Sequence, residues 1–445
     1  MRKLLVSISG VRGVVGEGLT PEVVLRYALA FGRFCNGSKV VLGRDSRPSG
    51  EMLKSAVVSG LLASGCDVID LGICPTPTVE IAAEDSKAYG VVITASHNPI
   101  QWNGLKFIGP DGIFLSPEQV GKVFRMAKSS RLGSKSWNRL GRIRVEESWI
   151  QKHVQKILQL KYIDTKRIRK RKPKVVLDCN NGAASSIAPM LLQALGCRVV
   201  ELSCELSGFF THSPEPLPEN LRALCRKVKQ AKADIGFALD PDGDRLAVVS
   251  EKGTPLGEEK TLVLAAKLVL GKNPGDMAVN ISTSRMIDEV AREFGVKVHR
   301  TPVGEAFVSR TLRRTKGIIG GEGNGGVILP ELHLGRDGLL AMALILEYLA
   351  ESEKPVSGLS NELPSYYMVK KKIDLKGDLE PKTNRLRRFF SKAKVNHMDG
   401  MRFDFADSWV HVRKSNTEPV VRIIAEAKSK VQANKLANEA INIVS

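Results

Sequence analysis

Through most of the chain, short apolar runs alternate with stretches whose apolar residues recur every three to four positions. Residues 39–43 (KVVLG), 67–72 (DVIDLG) and 89–96 (YGVVITAS) read as strands, with helices over 51–63 and near Thr78 between them. A second round starts at 174–178 (KVVLD), passes a helix around 184–195 and a strand at 197–202, and reaches 234–240 (DIGFALD). A third opens with a helix over 258–270, runs through strands at 277–282, 296–301 and 317–323, and closes with a helix over 335–350. This is the rhythm of βαβ sheets. The rounds share an element pattern without an obvious sequence repeat.

Past Pro364 the pattern changes. A strand at 366–375, a helix near 381–390, the long segment 407–429 and a final helix over 431–444 predict a small antiparallel α+β module. The expected fold class is α/β, with three related α/β domains followed by an α+β domain. The expected boundaries are 1–150, 151–252, 253–364 and 365–445. Each of the first three rounds places a Gly- or Asp-rich loop directly after a strand, and ligands sit at such loops in open α/β sheets.

Composition narrows the class. A chain of 445 residues exceeds what one hydrophobic core usually serves. At 43% hydrophobic and 26% charged residues it is neither disordered nor fibrous. The seven cysteines are widely spaced and form no CxxC pair, which points to reduced thiols and away from a structural zinc site. The N-terminal apolar run is too brief for a signal peptide, and the most apolar stretch, 338–350, is shorter than the roughly 20 residues a membrane span needs. A cytoplasmic protein with no membrane partner is expected.

The formal charge of +20 invites anions. Residues 122–144 carry eight basic side chains and no acid, and residues 165–174 read TKRIRKRKPK. Only Trp137 interleaves the first window, so a base-stacking platform is missing. These stretches read as a solvated basic face plus a linker, and no nucleic-acid partner is expected.

Candidate chemistry lies in the loops. Ser96 follows an apolar strand and precedes His97, Asn98 and Pro99, a placement suited to a nucleophile or phosphate carrier. It has no GxSxG elbow, which argues against a hydrolase. DPDGDR, residues 240–245, puts Asp240, Asp242 and Asp244 at alternating positions with Gly243 for the turn, so three carboxylates can converge on one hard cation. An EF-hand is excluded because Arg245 stands where its sixth-position glycine is needed. Magnesium is the expected metal, bridging to a phosphate on Ser96 while Arg245 neutralises further oxygens. Arg12, Arg44 and Arg47 lie in basic loops that fit the same need. GGEGNGG, residues 320–326, offers Glu322 and Asn324 to sugar hydroxyls, and RKSNTEP, residues 413–419, has the composition of a phosphate cradle.

TASHNP, DPDGDR, GEGNGG and RKSNTEP, in that order over nearly the whole chain, resemble the α-D-phosphohexomutase family. The resemblance implies four domains in a heart shape around a central cleft, the last closing over the substrate. It implies a phosphoserine at Ser96, with Mg2+ held by Asp240, Asp242 and Asp244 together with that phosphate. The candidate catalytic residues are Ser96, Lys106, Arg12, His97 and Arg245. Glu322 and Asn324 would read the sugar, and Arg413, Ser415, Asn416 and Thr417 would clamp the phosphate that is not reacting. A phosphosugar is the implied substrate, a sugar 1,6-bisphosphate the intermediate and activator, and a monomer or homodimer the assembly. Where many members have a serine and a histidine after the glutamate, this chain has Asn324 and Gly326. GEGNGG with SNTEP looks most like the phosphoglucosamine mutases, which implies glucosamine 6-phosphate and 1-phosphate as substrates. Phosphomannomutase or phosphoglucomutase activity is the alternative, and a non-catalytic phosphosugar- or nucleic-acid-binding protein is a remote one.

Overall fold

The computed structural model describes residues 4–7, 10–129, 132–374, 379–415 and 420–445. The first three rounds of the alternation have one strand order in common. In the first, Val40–Arg44, Val68–Ile73 and Tyr89–Ile93 are parallel, and Trp102–Ile108 runs antiparallel beside the third. Across the sheet these four lie in the order fourth, third, first, second. The same order recurs in Lys174–Asp178, Arg198–Leu202, Ile235–Leu239 and Leu246–Ser250. It recurs again in Met277–Asn280, Val298–Thr301, Ile319–Glu322 and Gly326–Ile328.

Parallel neighbours need a crossover, so a helix follows each of the first two strands in every unit; an antiparallel neighbour needs only a turn. The turn between third and fourth strands therefore sits at the carboxyl end of each sheet. Those three equivalent turns are residues 94–101, 240–245 and 323–325. They carry Ser96, the three aspartates and Asn324, so one repeated topology supplies three of the four candidate loops.

The first sheet is widened by Leu4–Ser7 and Gly10–Val14 at one edge and by Ile143–Val145 at the other. The C-terminal domain is a five-stranded antiparallel sheet, with Tyr367–Asp374 and Lys394–Asn396 at its edges and helix Lys430–Val444 packed across it. Its hairpin between Ser408–Lys414 and Val420–Ala427 presents the fourth loop.

The helix Gly338–Ser352 is apolar on every face over its first nine residues, with Glu347 and Glu351 only toward its end, and it lies inside the molecule, as such helices must. Asp337 caps it, its Oδ1 accepting the N–H groups of Leu339 and Leu340 at 2.8 and 3.1 Å. One apolar cluster runs through all three α/β units, from Val41 through Leu177 to Leu344. Among the described residues no helix is long and apolar enough to cross a membrane.

The basic stretch expected to be a linker is instead structured. Thr165–Arg171 forms a helix capped by Asp164, with Ile168 buried. Arg171 Nη1 donates to the Leu349 carbonyl at 2.6 Å, and Arg167 Nη1 reaches the buried Glu347 at 3.1 Å. The cations satisfy acceptors near the carboxyl end of the core helix, where positive charge is favoured.

Candidate active site

Ser96 sits at φ +51°, a left-handed conformation that costs a non-glycine residue about 1–2 kcal/mol. Its neighbours hold it there. The Ser96 N–H donates to Thr94 Oγ1 at 2.8 Å, and Thr94 Oγ1 donates in turn to Asp45 Oδ2 at 2.6 Å. Arg47, wholly buried, pairs with Asp45 at 2.9 Å and donates to the carbonyls of Ser96, Asn98 and Pro99 at 2.6–2.7 Å. Arg47 thus grips the loop backbone and does not reach the cavity, while Arg44 pairs with Glu51 at 3.0 Å. Both depart from their expected place among phosphate-facing groups, because each has a carboxylate partner on its own side of the fold. Arg12 differs from both. It lines the cavity, and its Nη1 donates to Asn98 Oδ1 at 3.2 Å. Desolvation pulls its guanidinium down to about 10.

The Ser96 hydroxyl donates to Asp240 Oδ2 at 3.2 Å and lies 3.4 Å from His97 Nδ1. Burial, Arg245 and Arg12 push the His97 imidazole well below its usual range, so the ring is neutral. Ligand atoms of Asp240, Asp242 and Asp244 lie within 4.8 Å of one another, the one such cluster among the described residues. Asp242 and Asp244 each have one oxygen hydrogen-bonded by the protein, and Asp240 has both. Asp242 Oδ2 accepts from Thr76 Oγ1 at 2.7 Å and from Lys106 Nζ at 2.6 Å. Asp244 Oδ2 accepts from Arg336 Nη2 at 2.6 Å, and Asp240 Oδ1 from the Arg245 N–H at 3.1 Å.

The opposite oxygens, Asp242 Oδ1 and Asp244 Oδ1, are buried without a hydrogen-bond partner. Burial, together with Asp244 and Asp242, pushes Asp240 well above the ordinary carboxylate range. Burial also works against the charges of Asp242 and Lys106, but their mutual attraction wins: Asp242 is held below its usual range and Lys106 above its own. An all-oxygen donor set with two orphaned carboxylate oxygens fits a hard divalent cation.

Above this cluster lies a cavity of about 330 Å³. Ser96 and the aspartates lie behind its lining, and His97, Lys106 and Arg245, which touch them, form part of its wall. Glu322 and Asn324 stand on the lining as well. Glu322 Oε1 accepts from Asn280 Nδ2 at 2.8 Å and from the Gly304 N–H at 3.0 Å, and Oε2 from Arg336 Nη1 at 2.6 Å. Burial opposes its charge, but Arg336 and Asn280 prevail and hold the carboxyl below its usual range. Asn324 turns partly inward on its hairpin, Oδ1 accepting the Gly326 N–H at 3.2 Å. Arg413 and Ser415 reach the same cavity from the C-terminal domain. Asn416 and Thr417 lie outside the described residues. A cavity lined by Arg12, Arg245, Arg413 and Arg422, with Glu322 among them, can receive an anion that also carries hydrogen-bond donors.

Sequence reasoning missed several of these groups. Thr76, at the start of a helix, supports Asp242, and Asn280, at the end of the strand Met277–Asn280, supports Glu322. Lys370 bonds the Gly323 carbonyl at 3.0 Å from the C-terminal domain. Arg336 stands in an RDG run just before the apolar helix, where its neighbour Asp337 was readable as a cap; nothing local marks the arginine.

Comparison with known proteins agrees with this arrangement. Four family descriptions match in order: phosphoglucomutase/phosphomannomutase α/β/α domain I over residues 3–132, domain II over 151–253, domain III over 257–367, and the C-terminal domain over 380–443. A phosphoglucomutase/phosphomannomutase of Thermococcus kodakarensis is 42% identical, covering 98% of this chain and 97% of its own. A probable phosphoglucosamine mutase of Methanopyrus kandleri is 40% identical, covering 98% and 96%. The crystal structure of a phosphoglucomutase/phosphomannomutase family protein from Burkholderia thailandensis superimposes with a TM-score of 0.86 at 32% identity, covering 98% and 96%. Four matched domains in order, relatives along nearly the full length and a shared fold lead to one conclusion: the chain belongs to the phosphoglucomutase/phosphomannomutase family of α-D-phosphohexomutases, which are isomerase-class intramolecular phosphotransferases.

Proposed function

We propose that the chain interconverts glucosamine 6-phosphate and glucosamine 1-phosphate through phosphorylated Ser96 and a sugar 1,6-bisphosphate. The observation that carries the mutase chemistry is the Ser96 hydroxyl, fixed in a left-handed backbone on the aspartate cluster and backing onto the cavity of Glu322 and Arg413. A sugar hydroxyl attacks the phosphorus on Ser96; the bond to Oγ breaks, a bond to the sugar oxygen forms, and the proton lost by the sugar hydroxyl is balanced by one gained at Oγ, which becomes the free serine hydroxyl. The bisphosphate turns over, and its other phosphate returns to Oγ by the reverse step, leaving the isomeric monophosphate. Arg413, Ser415, Asn416 and Thr417 clamp the phosphate that is not reacting, so either end of the sugar can be positioned for transfer. Glu322 accepts hydrogen bonds from the sugar, with Asn324 beside it. Lys106, kept cationic beside Asp242, and Arg12 and Arg245 place positive charge around the transferring group.

Asp240, Asp242 and Asp244 together with the Ser96 oxygen would hold Mg2+, which when bound supplies charge neutralisation to phosphoryl transfer. The amino-sugar reading draws support from the Methanopyrus relative's name and from Glu322, whose carboxylate suits an ammonium as well as a hydroxyl. The Thermococcus relative's name favours a second reading, a phosphohexomutase of broader hexose specificity.

Initial rates on glucosamine, glucose and mannose 1-phosphates, with Mg2+ and a trace of the matching bisphosphate, separate the two. A strong preference for the amino sugar is expected, and comparable or better rates on glucose or mannose would favour the broader enzyme. Ser96→Ala and Asp242→Ala should each abolish turnover with the fold intact. Retained activity in both would refute the phosphoserine mechanism.

A further inference from the structure

Arg336 joins three carboxylates from three parts of the chain. Its Nη2 lies 2.6 Å from Asp244 Oδ2, its Nη1 2.6 Å from Glu322 Oε2 and its Nε 3.0 Å from Glu305 Oε2. Glu305 Oε1 also accepts the Arg336 backbone N–H at 2.9 Å, so the arginine is fixed at both ends. The side chain is buried, yet it forms part of the cavity wall. A guanidinium can serve three acceptors in a plane, which a lysine ammonium on a flexible stem cannot do with the same geometry.

The stem of this side chain takes up space that belongs to another residue. A Cβ built on Gly326 would fall 2.3 Å from Arg336 Cδ and 2.9 Å from Cγ. Gly326 is the direct cross-strand partner of Glu322. The glycine therefore leaves room for the arginine to pass beneath the sugar-reading hairpin and reach Asp244.

We infer that Arg336 is a positioning residue for both the cation site and the sugar site, and that Gly326 is glycine to admit it. By engaging Asp244 Oδ2 it leaves the buried Oδ1 without a hydrogen-bond partner and so available to a cation, and by engaging Glu322 Oε2 it fixes that carboxylate on the cavity wall. One rigid group thus keeps two loops from different units in register. The inference rests on the mutase reading above.

The test uses the full chain and five variants: Arg336→Met, Arg336→Lys, Arg336→Ala, Gly326→Ala and the double variant Gly326→Ala with Arg336→Ala. Three quantities are read: turnover of glucosamine 1-phosphate, or of whichever sugar 1-phosphate the wild type prefers, Mn2+ affinity by electron paramagnetic resonance, and thermal midpoint. In Arg336→Met, kcat/KM should fall about a hundredfold, as for a displacement of about an ångström in positioned groups. KM for the sugar should rise, and Mn2+ affinity should fall about tenfold. Arg336→Lys should restore charge without restoring either constant. Gly326→Ala should reproduce both defects by displacing the arginine, yet add little once Arg336 is already alanine, because the two residues share one space.

Unchanged KM and Mn2+ affinity in folded Arg336→Met would overturn the inference, as would tighter Mn2+ binding, which would make Arg336 a counter-charge only. An equal loss from Gly326→Ala in both backgrounds would also overturn it. Should Arg336→Met fail to fold, Arg336→Lys and Gly326→Ala carry the same readouts. If the wild type turns over none of the glucosamine, glucose and mannose phosphates, the mutase reading falls, while the Mn2+ arm still reports separately on the hold on Asp244.

Discussion

Ser96 is held from behind. The strained backbone that points its hydroxyl at Asp240 is fixed by Arg47, whose guanidinium spans three loop carbonyls and the Asp45 carboxylate without reaching the cavity. Arg47→Met should therefore act on stability and turnover together. It leaves Asp45 buried without its cation and frees three carbonyls, a loss of about 3–5 kcal/mol for breaking a buried pair. Denaturant unfolding should show a lower midpoint, and residual turnover should be small even where the variant is fully folded. Normal turnover in the folded variant would mean that the loop keeps its shape without Arg47. The sequence could name Ser96, because a serine between an apolar strand and HNP is a local signal. It could not assign Arg47, whose acceptors lie 49 to 52 positions away. An arginine in a glycine-rich turn looks the same whether it faces phosphate or carbonyl oxygen.

At the scale of elements, alternation of apolar runs placed the first three strands of each unit and several of their helices, because burial on a pleat and on a helix leaves different periods. It left the fourth strands Trp102–Ile108, Leu246–Ser250 and Gly326–Ile328 and helices such as Pro21–Phe34 and Glu305–Thr315 unassigned. The order of strands across a sheet leaves no such period. For that reason the common order of the three units, and the equivalence of the Ser96, aspartate and Asn324 turns, emerged only from the pairings. The helix Thr165–Arg171 escaped for a related reason: only Ile168 in it is buried, so it has no apolar stripe and owes its place to its own arginines, which bond acceptors on a neighbouring helix. That neighbour, Gly338–Ser352, begins directly on the aspartate loop, the Gly338 N–H donating to the Gly243 carbonyl at 3.1 Å. A Cβ at Gly338 would stand 2.9 Å from the Gly243 oxygen, 3.0 Å from the Arg245 oxygen and 2.4 Å from Leu239 Cδ2. Gly338→Ala should thus cost about 1–3 kcal/mol by overpacking and weaken turnover by shifting the aspartates. Thermal unfolding and kcat measured on one preparation would test this. Loss of stability with kcat unchanged would show that the helix start and the loop move independently.

Across the whole molecule, the C-terminal domain is docked on the third unit through polar contacts, and one of them is sensitive to acid. Arg285 Nη2 bonds Asp404 Oδ1, and the Val303 N–H bonds Asp399 Oδ2, each at 3.0 Å. Between them His411 is buried as a neutral ring: Nε2–H donates to the Asp399 carbonyl, and Nδ1 accepts the Ser282 hydroxyl at 2.9 Å. Burial pulls its pKa down to about 4, and neighbouring Arg413 and Arg402 add to the effect against the opposing Asp399. A histidine freed from the interface titrates near 6.5. Between these two values the undocked state binds the proton and the docked state does not, so the stability His411 contributes is fully present above pH 7 and is lost as pH falls toward 4. The span corresponds to about 3 kcal/mol at its limit. Denaturant midpoints of the wild type should therefore decline from pH 7 to pH 4, and His411→Gln, which keeps a donor and an acceptor but cannot take up the proton, should decline less. Arg413, proposed above to clamp phosphate, lies two residues along the same strand, so acid should also raise KM for the sugar phosphate before the α/β units unfold. Equal slopes in the wild type and His411→Gln would place the acid sensitivity at another group.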